Sequence, residues 1–115
     1  MPSMPAVLHA HEDMSIQGST RFPFTLANVR HAPADRGVYV LWENNELIYY
    51  GFALGGEVTI RSSLKDHRLG LFGSCTARAT HFNWEICRDP VCREAELLKQ
   101  YRGRHKALPR CNKKA

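Results

Sequence analysis

The sequence predicts a mixed α/β domain, and three observations carry that expectation. Residues 37–53 read as two short strands, Gly37–Glu43 and Leu47–Ala53, closing on the turn-forming pair Asn44-Asn45. His81–Arg88 alternates, with Phe82, Trp84 and Ile86 inward, and makes a third strand. Helical spacing follows the hairpin at about Glu57–Arg68, and follows the third strand from Asp89 to about Arg102. With 115 residues the chain can bury a modest core without metal or disulfide staples.

Residues 1–20 have no period and mixed polarity. They read as a loose N-terminal arm with a short turn at Ala6–Ala10, ahead of one domain spanning 21–115. His9-x-His11 in that arm is more readily chance than a metal site. Arg21–Val29 is apolar enough to lie on the domain as an extended or irregular segment, and His31–Arg36 is a turn feeding the first strand.

The hairpin admits two registers. A two-residue turn sets Tyr39 opposite Tyr50, with Val38, Val40 and Trp42 on the face of Leu47, Tyr49 and Gly51. A three-residue loop over Asn44, Asn45 and Glu46 shifts the pairing by one. It puts Val38, Val40, Trp42, Ile48, Tyr50 and Phe52 on one dry face. Tyr39, Leu41, Leu47, Tyr49 and Gly51 then share a wetter one. The second register separates dry from wet more cleanly and is preferred. It leaves two phenols side by side, with Gly51 allowing something to approach the backbone. Tyrosines are also common as half-buried strand residues, so these two alone do not define a site.

After the loop Leu54-Gly55-Gly56, the first helix turns Ile60 and Leu64 to the core. Glu57, Arg61, Lys65 and Arg68 form a neighbouring stripe, either a phosphate grip or a solvated face with Glu57 and Arg61 paired. Gly70–Thr80 is small and irregular, hence a loop. Asp89 is the N-cap of the second helix, Pro90 its first residue, and Gly103 its stop. The final loop, Lys106–Lys114, contains Pro109 and Asn112.

Charge is unevenly spread. Residues 1–60 hold three Lys and Arg against six Asp and Glu, whereas residues 61–115 hold thirteen against five. A basic half-domain suits a polyanion, although a soluble, well-charged surface can look the same. No segment has the length and apolarity to span a bilayer, and no leader is evident. A soluble, cytoplasmic protein without a membrane partner is expected. The four cysteines include no CxxC pair, so a zinc ribbon is disfavoured and free, mostly buried thiols are expected.

On the second helix, Val91, Ala95, Leu97, Leu98 and Tyr101 share one face, and Glu94 falls within it. A carboxylate in an apolar stripe is costly unless it is paired or holds a metal. Either an ion pair, with Arg36 or Arg61, or a functional ligand accounts for it.

These residues carry a family resemblance. Gly37-Val38-Tyr39, nine residues, then Tyr49-Tyr50-Gly51 resembles the paired signature of the GIY-YIG nucleases. An arginine-bearing helix follows in family order, then Glu94-Ala95-Glu96-Leu97-Leu98-Lys99, then Pro109-x-x-Asn112. The resemblance covers about residues 33–113 and selects Glu94 as the metal-binding glutamate, independently of the helical wheel. It implies a three-stranded antiparallel sheet flanked by helices, with the site on one sheet face. One departure concerns the arginine. If Leu64-x-x-His67 anchors the alignment, the arginine column falls on Ser63. If Arg61 anchors it, the loop after Gly51 is longer than usual. The two side chains point about 200° apart on a helix. Arg61 is the residue taken here.

The resemblance further implies a metal-dependent endonuclease acting on DNA. Glu94 would hold one Mg²⁺ or Mn²⁺, and Arg61 the phosphate oxygens. Tyr39 would take or relay the proton of water if cations lower its pKa, and Tyr49 would orient water or phosphate. His67 would support proton transfer or phosphate contact, and Asn112 would fix its loop. Gly51, Arg61, Lys65 and Arg68 would meet the nucleic acid. A non-cleaving nucleic-acid-binding module on the same fold and a protein-interaction domain are the alternatives. A homodimer mate or a targeting protein is compatible with a lone compact domain.

Overall fold

The computed structural model describes Ile16 and residues 20–113. Of the expected arm only Ile16, which packs with Val38, Val40, Tyr50 and Leu97, and Thr20 are described; its turn at Ala6–Ala10 and the His9-x-His11 pair lie outside the described residues. Strand β1 is Phe22–Pro23, and a single helical turn, α1, follows at Leu26–Val29. Strands β2 (Gly37–Glu43) and β3 (Glu46–Ala53) form the hairpin. Helix α2 (Ile60–Arg68) and a second single turn, α3 (Ser74–Ala77), precede strand β4 (His81–Ile86). Helix α4 (Pro90–His105) and a 3-10 turn at Arg110–Asn112 complete the fold.

The strands form one antiparallel sheet in the order β1-β4-β2-β3, four strands where three were expected. The addition is β1, which pairs Phe22 with Phe82 and Pro23 with His81 on the outer edge of β4. An edge is where a sheet tolerates proline. The rest of the expected irregular segment becomes α1, capped by the Thr25 hydroxyl accepting from the Asn28 amide at 3.1 Å.

The hairpin uses both registers. Its turn has two residues, with Glu43 opposite Glu46 and Trp42 opposite Leu47. A bulge then shifts the pairing, so that Leu41 meets Tyr49, Val40 meets Tyr50, Tyr39 meets Gly51 and Val38 meets Phe52. The extra residue is Ile48. It joins Tyr39 and Leu41 in one cluster, while Leu47 joins Val38, Val40 and Tyr50 in the other. The preferred three-residue loop is thus corrected at the turn and correct beyond the bulge.

The division into dry and wet faces is also corrected. Tyr39 and Leu41 pack with Ile60 and Leu64 of α2 and with Phe82, and all five are buried. On the other face Val38, Val40 and Tyr50 pack with Leu97 of α4. Helices on both sides make this a central sheet, so neither face of the hairpin is wet.

Other boundaries moved for local reasons. Helix α2 starts at Ile60, because Thr59 and Ser62 exchange hydrogen bonds of 2.9 and 3.0 Å in a capping box; Glu57 lies ahead of the helix. Helix α4 is capped by Asp89 as expected but runs through Gly103 to His105. It ends at Lys106 in the left-handed region (φ 63°), whose amide donates to the Arg102 carbonyl. Strand β4 ends at Ile86, which is 54% exposed rather than inward.

The expectation of four free, mostly buried thiols fails. Cys75 and Cys111 form a disulfide with Cα atoms 5.7 Å apart, joining α3 to the 3-10 turn. Of the other two, Cys87 is half-buried and Cys92 exposed. Loop cysteines 36 residues apart give no spacing signal for their pairing.

Candidate active site

Two glycines set the hairpin's part of the site. A Cβ on Gly37 would strike the Glu85 carbonyl of β4. A Cβ on Gly51 would overlap the Tyr39 ring, which crosses the β3 backbone at that point. What approaches Gly51 is therefore the protein's own phenol. That passage directs the Tyr39 hydroxyl toward α2, where it lies 2.9 Å from Nε2 of His67.

His67 sits in the last turn of α2 and is buried, at 2% exposure. Its Nδ1 is 2.7 Å from the hydroxyl of buried Thr76 in α3. The result is a continuous line from Tyr39 through the imidazole to Thr76. Burial holds the imidazole's pKa down, to about 4, so the ring is neutral near pH 7. In a neutral ring one nitrogen donates and the other accepts. Tyr39 donating to Nε2 therefore goes with Nδ1 donating to Thr76.

Tyr49 completes the aromatic cluster, its ring centroid 4.9 Å from that of His67 and 6.2 Å from that of Tyr39. Burial raises the Tyr39 pKa above the usual phenol value, the neighbouring Tyr49 adds to this, and a hydrogen bond from Ser63 offsets part. Tyr49 is raised too, by burial and then by the Glu94 carboxylate. Both phenols are protonated near neutral pH.

Glu94 approaches from the first half of α4 and is half-buried. Among the described residues neither Arg36 nor Arg61 forms an ion pair with it. Desolvation raises its pKa, the mark of a carboxylate short of positive charge. Tyr39, Tyr49, His67, Glu94 and Ser63 line one pocket of about 240 Å³, together with Phe52, Val58 and Phe72. None of these lining residues is Lys or Arg. A larger cavity of about 480 Å³ lies between the hairpin and the C-terminal half of α4, lined by Trp42, Tyr101 and Arg104 among others; no expected catalytic residue lines it.

The remaining expected residues stand elsewhere. Arg61 is exposed and donates from Nε to the Ala32 carbonyl at 2.7 Å, holding the chain ahead of β2. Lys65 and Arg68 are exposed and outside the pocket lining. On the pocket side of α2 stands Ser63, one turn before His67. Asn112 grips the backbone of β3: its Oδ1 accepts from the Tyr50 amide at 2.9 Å and its Nδ2 donates to the Tyr50 carbonyl at 3.0 Å.

Sequence reasoning missed Thr76, Phe52 and Phe72. Thr76 had no signal, being one small residue in a loop of small residues. The isolated Phe72 in a glycine-rich loop was a signal that went unused.

One hard divalent cation fits this donor set. The described residues contain no group of three or more His, Cys, Asp and Glu placed to hold a metal. A single carboxylate with water in the other positions is nevertheless a known habit of Mg²⁺, and Glu94 faces the pocket without a counter-ion among the described residues.

The chain matches no protein-family model and no curated protein sequence. Its fold is similar to the GIY-YIG N-terminal endonuclease domain of UvrC from Thermotoga maritima bound to its catalytic divalent cation, magnesium. The TM-score is 0.56 at 21% identity, covering 76% of this chain and 93% of that one. Two tyrosine-to-phenylalanine point mutants of that domain, each bound to the catalytic divalent cation, match with the same TM-score and coverage at 21% and 20% identity. The described residues thus have the GIY-YIG-like fold that the sequence resemblance implied.

Proposed function

We propose that this chain is a divalent-metal-dependent endonuclease that hydrolyses DNA phosphodiester bonds. The observation that carries the reading is the meeting of Tyr39, Tyr49, His67 and Glu94, from three separate parts of the chain, in one pocket on this fold. Glu94 is the residue for Mg²⁺ or Mn²⁺; a bound ion would supply positive charge to the phosphate as negative charge develops there.

The chain's own residues handle the proton. Tyr39 is a protonated phenol and cannot act as a base by itself. Hydrogen-bonded to His67, it can pass its proton to Nε2 as its oxygen takes one from the attacking water, provided that a bound cation lowers the pKa of the phenol and the water. Thr76 can accept from Nδ1 in the tautomer that leaves Nε2 open. Tyr49 orients water or phosphate beside it. Asn112, by gripping Tyr50, fixes the β3 register that places Tyr49 and Gly51. Arg61, Lys65 and Arg68, on the outer side of α2, are assigned to the DNA backbone flanking the pocket.

One observation favours a second reading, a DNA-binding module with little or no cleavage: Ser63, not an arginine, faces the pocket from α2, and none of the lining residues is a permanent cation. Cleavage of supercoiled plasmid separates the two. The nuclease reading expects nicking with Mg²⁺ or Mn²⁺ that chelation abolishes, and that Glu94→Gln lowers by on the order of a hundredfold or more. Salt-sensitive binding without nicking by the wild type would establish the module instead.

A further inference from the structure

The pocket has a second chemistry on its rim. Phe52 and Phe72 line it beside Tyr49 and Glu94, yet they are 38% and 57% exposed. Phe52 stands on β3 next to Gly51. Phe72 comes from the segment between α2 and α3, its ring centroid 4.6 Å from that of His67. Val58, more than half exposed, adds to the same rim. Leaving large apolar side chains partly in water forfeits stabilisation that burial would supply, so their position at a polar pocket asks for an occupant.

The chemistry of that occupant follows from the lining. A base-paired duplex presents phosphates outward and keeps its bases stacked inside, where phenyl rings cannot reach them. A strand whose base has left the stack offers both parts at once. Its phosphate enters the polar floor and its π face lies against a ring. The excess of thirteen Lys and Arg over five Asp and Glu in residues 61–115 supplies the longer-range attraction.

We propose that the site takes single-stranded or locally unpaired DNA, with Phe52 and Phe72 as stacking platforms for unstacked bases beside the bound phosphate. The inference rests on the nuclease reading for its reaction, but its binding claim can be tested alone. A protein partner covering the rim is the rival occupant. It is disfavoured because the exposed rings surround a cleft with a hydroxyl, imidazole and carboxylate floor rather than forming a dry patch.

The test is fluorescence anisotropy of the full chain at fixed salt, with Ca²⁺ replacing Mg²⁺. The probes are one labelled strand, its perfect duplex, and the duplex with a central unpaired bubble. Strand and bubble are expected to bind about tenfold or more tighter than duplex, a preference that Phe52→Leu and Phe72→Leu should each reduce severalfold. Leucine keeps an apolar cover over His67, and circular dichroism checks that each variant folds.

Equal or tighter binding of duplex overturns the proposal. So does a preference that survives both substitutions, which would place its source outside the two rings, and so does failure to bind any of the probes. Cleavage in Mg²⁺ separates this inference from the one beneath it. Ring-dependent bubble binding without cleavage supports the substrate class and sinks the nuclease reading. Duplex cut as fast as bubble sinks the substrate class and keeps the nuclease.

Discussion

His67 couples the site to the stability of the whole protein. Its pKa is about 4 in the fold against 6.5 for the free group, so between those values the unfolded chain binds more protons than the folded one. The stabilisation is fully present above about pH 6.5 and is lost as pH falls toward 4, by on the order of 3 kcal/mol in all. Urea midpoints measured at intervals from pH 7 to pH 4 should fall accordingly, and His67→Gln should flatten that part of the curve. A variant with the wild-type slope would show that another group is responsible.

Gly51 is the second residue with a sharp consequence. The Tyr39 ring that a new Cβ would meet is buried and tied to His67, so it cannot swing aside freely. Gly51→Ala should cost about 1–3 kcal/mol. It should also lower cleavage disproportionately, read as activity per folded molecule. Glu94 was legible at this scale, because a helical wheel exposes a carboxylate among apolar neighbours. The arginine was not. Which of Arg61 and Ser63 faces the pocket depends on where α2 begins, and the Thr59–Ser62 exchange that fixes this is easily passed over in sequence.

Among elements, β3 takes distant help on its outer edge. Apart from the hairpin turn and β2, its backbone at Tyr50 is satisfied by the two bonds from Asn112. Asn112→Ala should destabilise by about 1–3 kcal/mol, and the Tyr50 amide should exchange with solvent faster than its neighbours toward β2. The disulfide acts on the same turn, since Cys111 adjoins Asn112 and its partner Cys75 adjoins Thr76. Closing a loop of 36 residues stabilises by roughly 3–4 kcal/mol in the chain-entropy account. Cys75→Ser and reduction by a dithiol should lower the melting temperature alike. If only the substitution does, the bond is not formed in solution.

Periodicity made the long elements readable: both strands of the hairpin, β4, and the helices bearing His67 and Glu94. It missed β1, which is two residues long and exists only because β4 offers an edge. It also missed the bulge at Ile48, whose cause is packing on both faces rather than local preference.

At the scale of the molecule, the question is how a net charge of +5 is presented. Arg61, Lys65 and Arg68 lie together on the outside of α2, while the residues lining the pocket include no Lys or Arg. If these three meet phosphates, replacing Lys65 or Arg68 by alanine should weaken binding to all DNA sequences about equally. Each should also lower the slope of log affinity against log salt by about one. Unchanged slopes would move the contact surface to another face.

The bond between Asn112 and Tyr50 has a further consequence in time. The hairpin is local and can close as soon as residue 53 is available, but the outward N–H and C=O of Tyr50 wait 62 residues for their partner. At synthesis rates of roughly 5–20 residues per second, that interval is about 3–12 seconds. Until β4 is made a closed hairpin has two open edges, and after that the β3 edge alone waits for Asn112, the kind of surface that recruits a foreign strand. Slower translation between the hairpin and Asn112 would lengthen that window without altering a single contact of the finished protein.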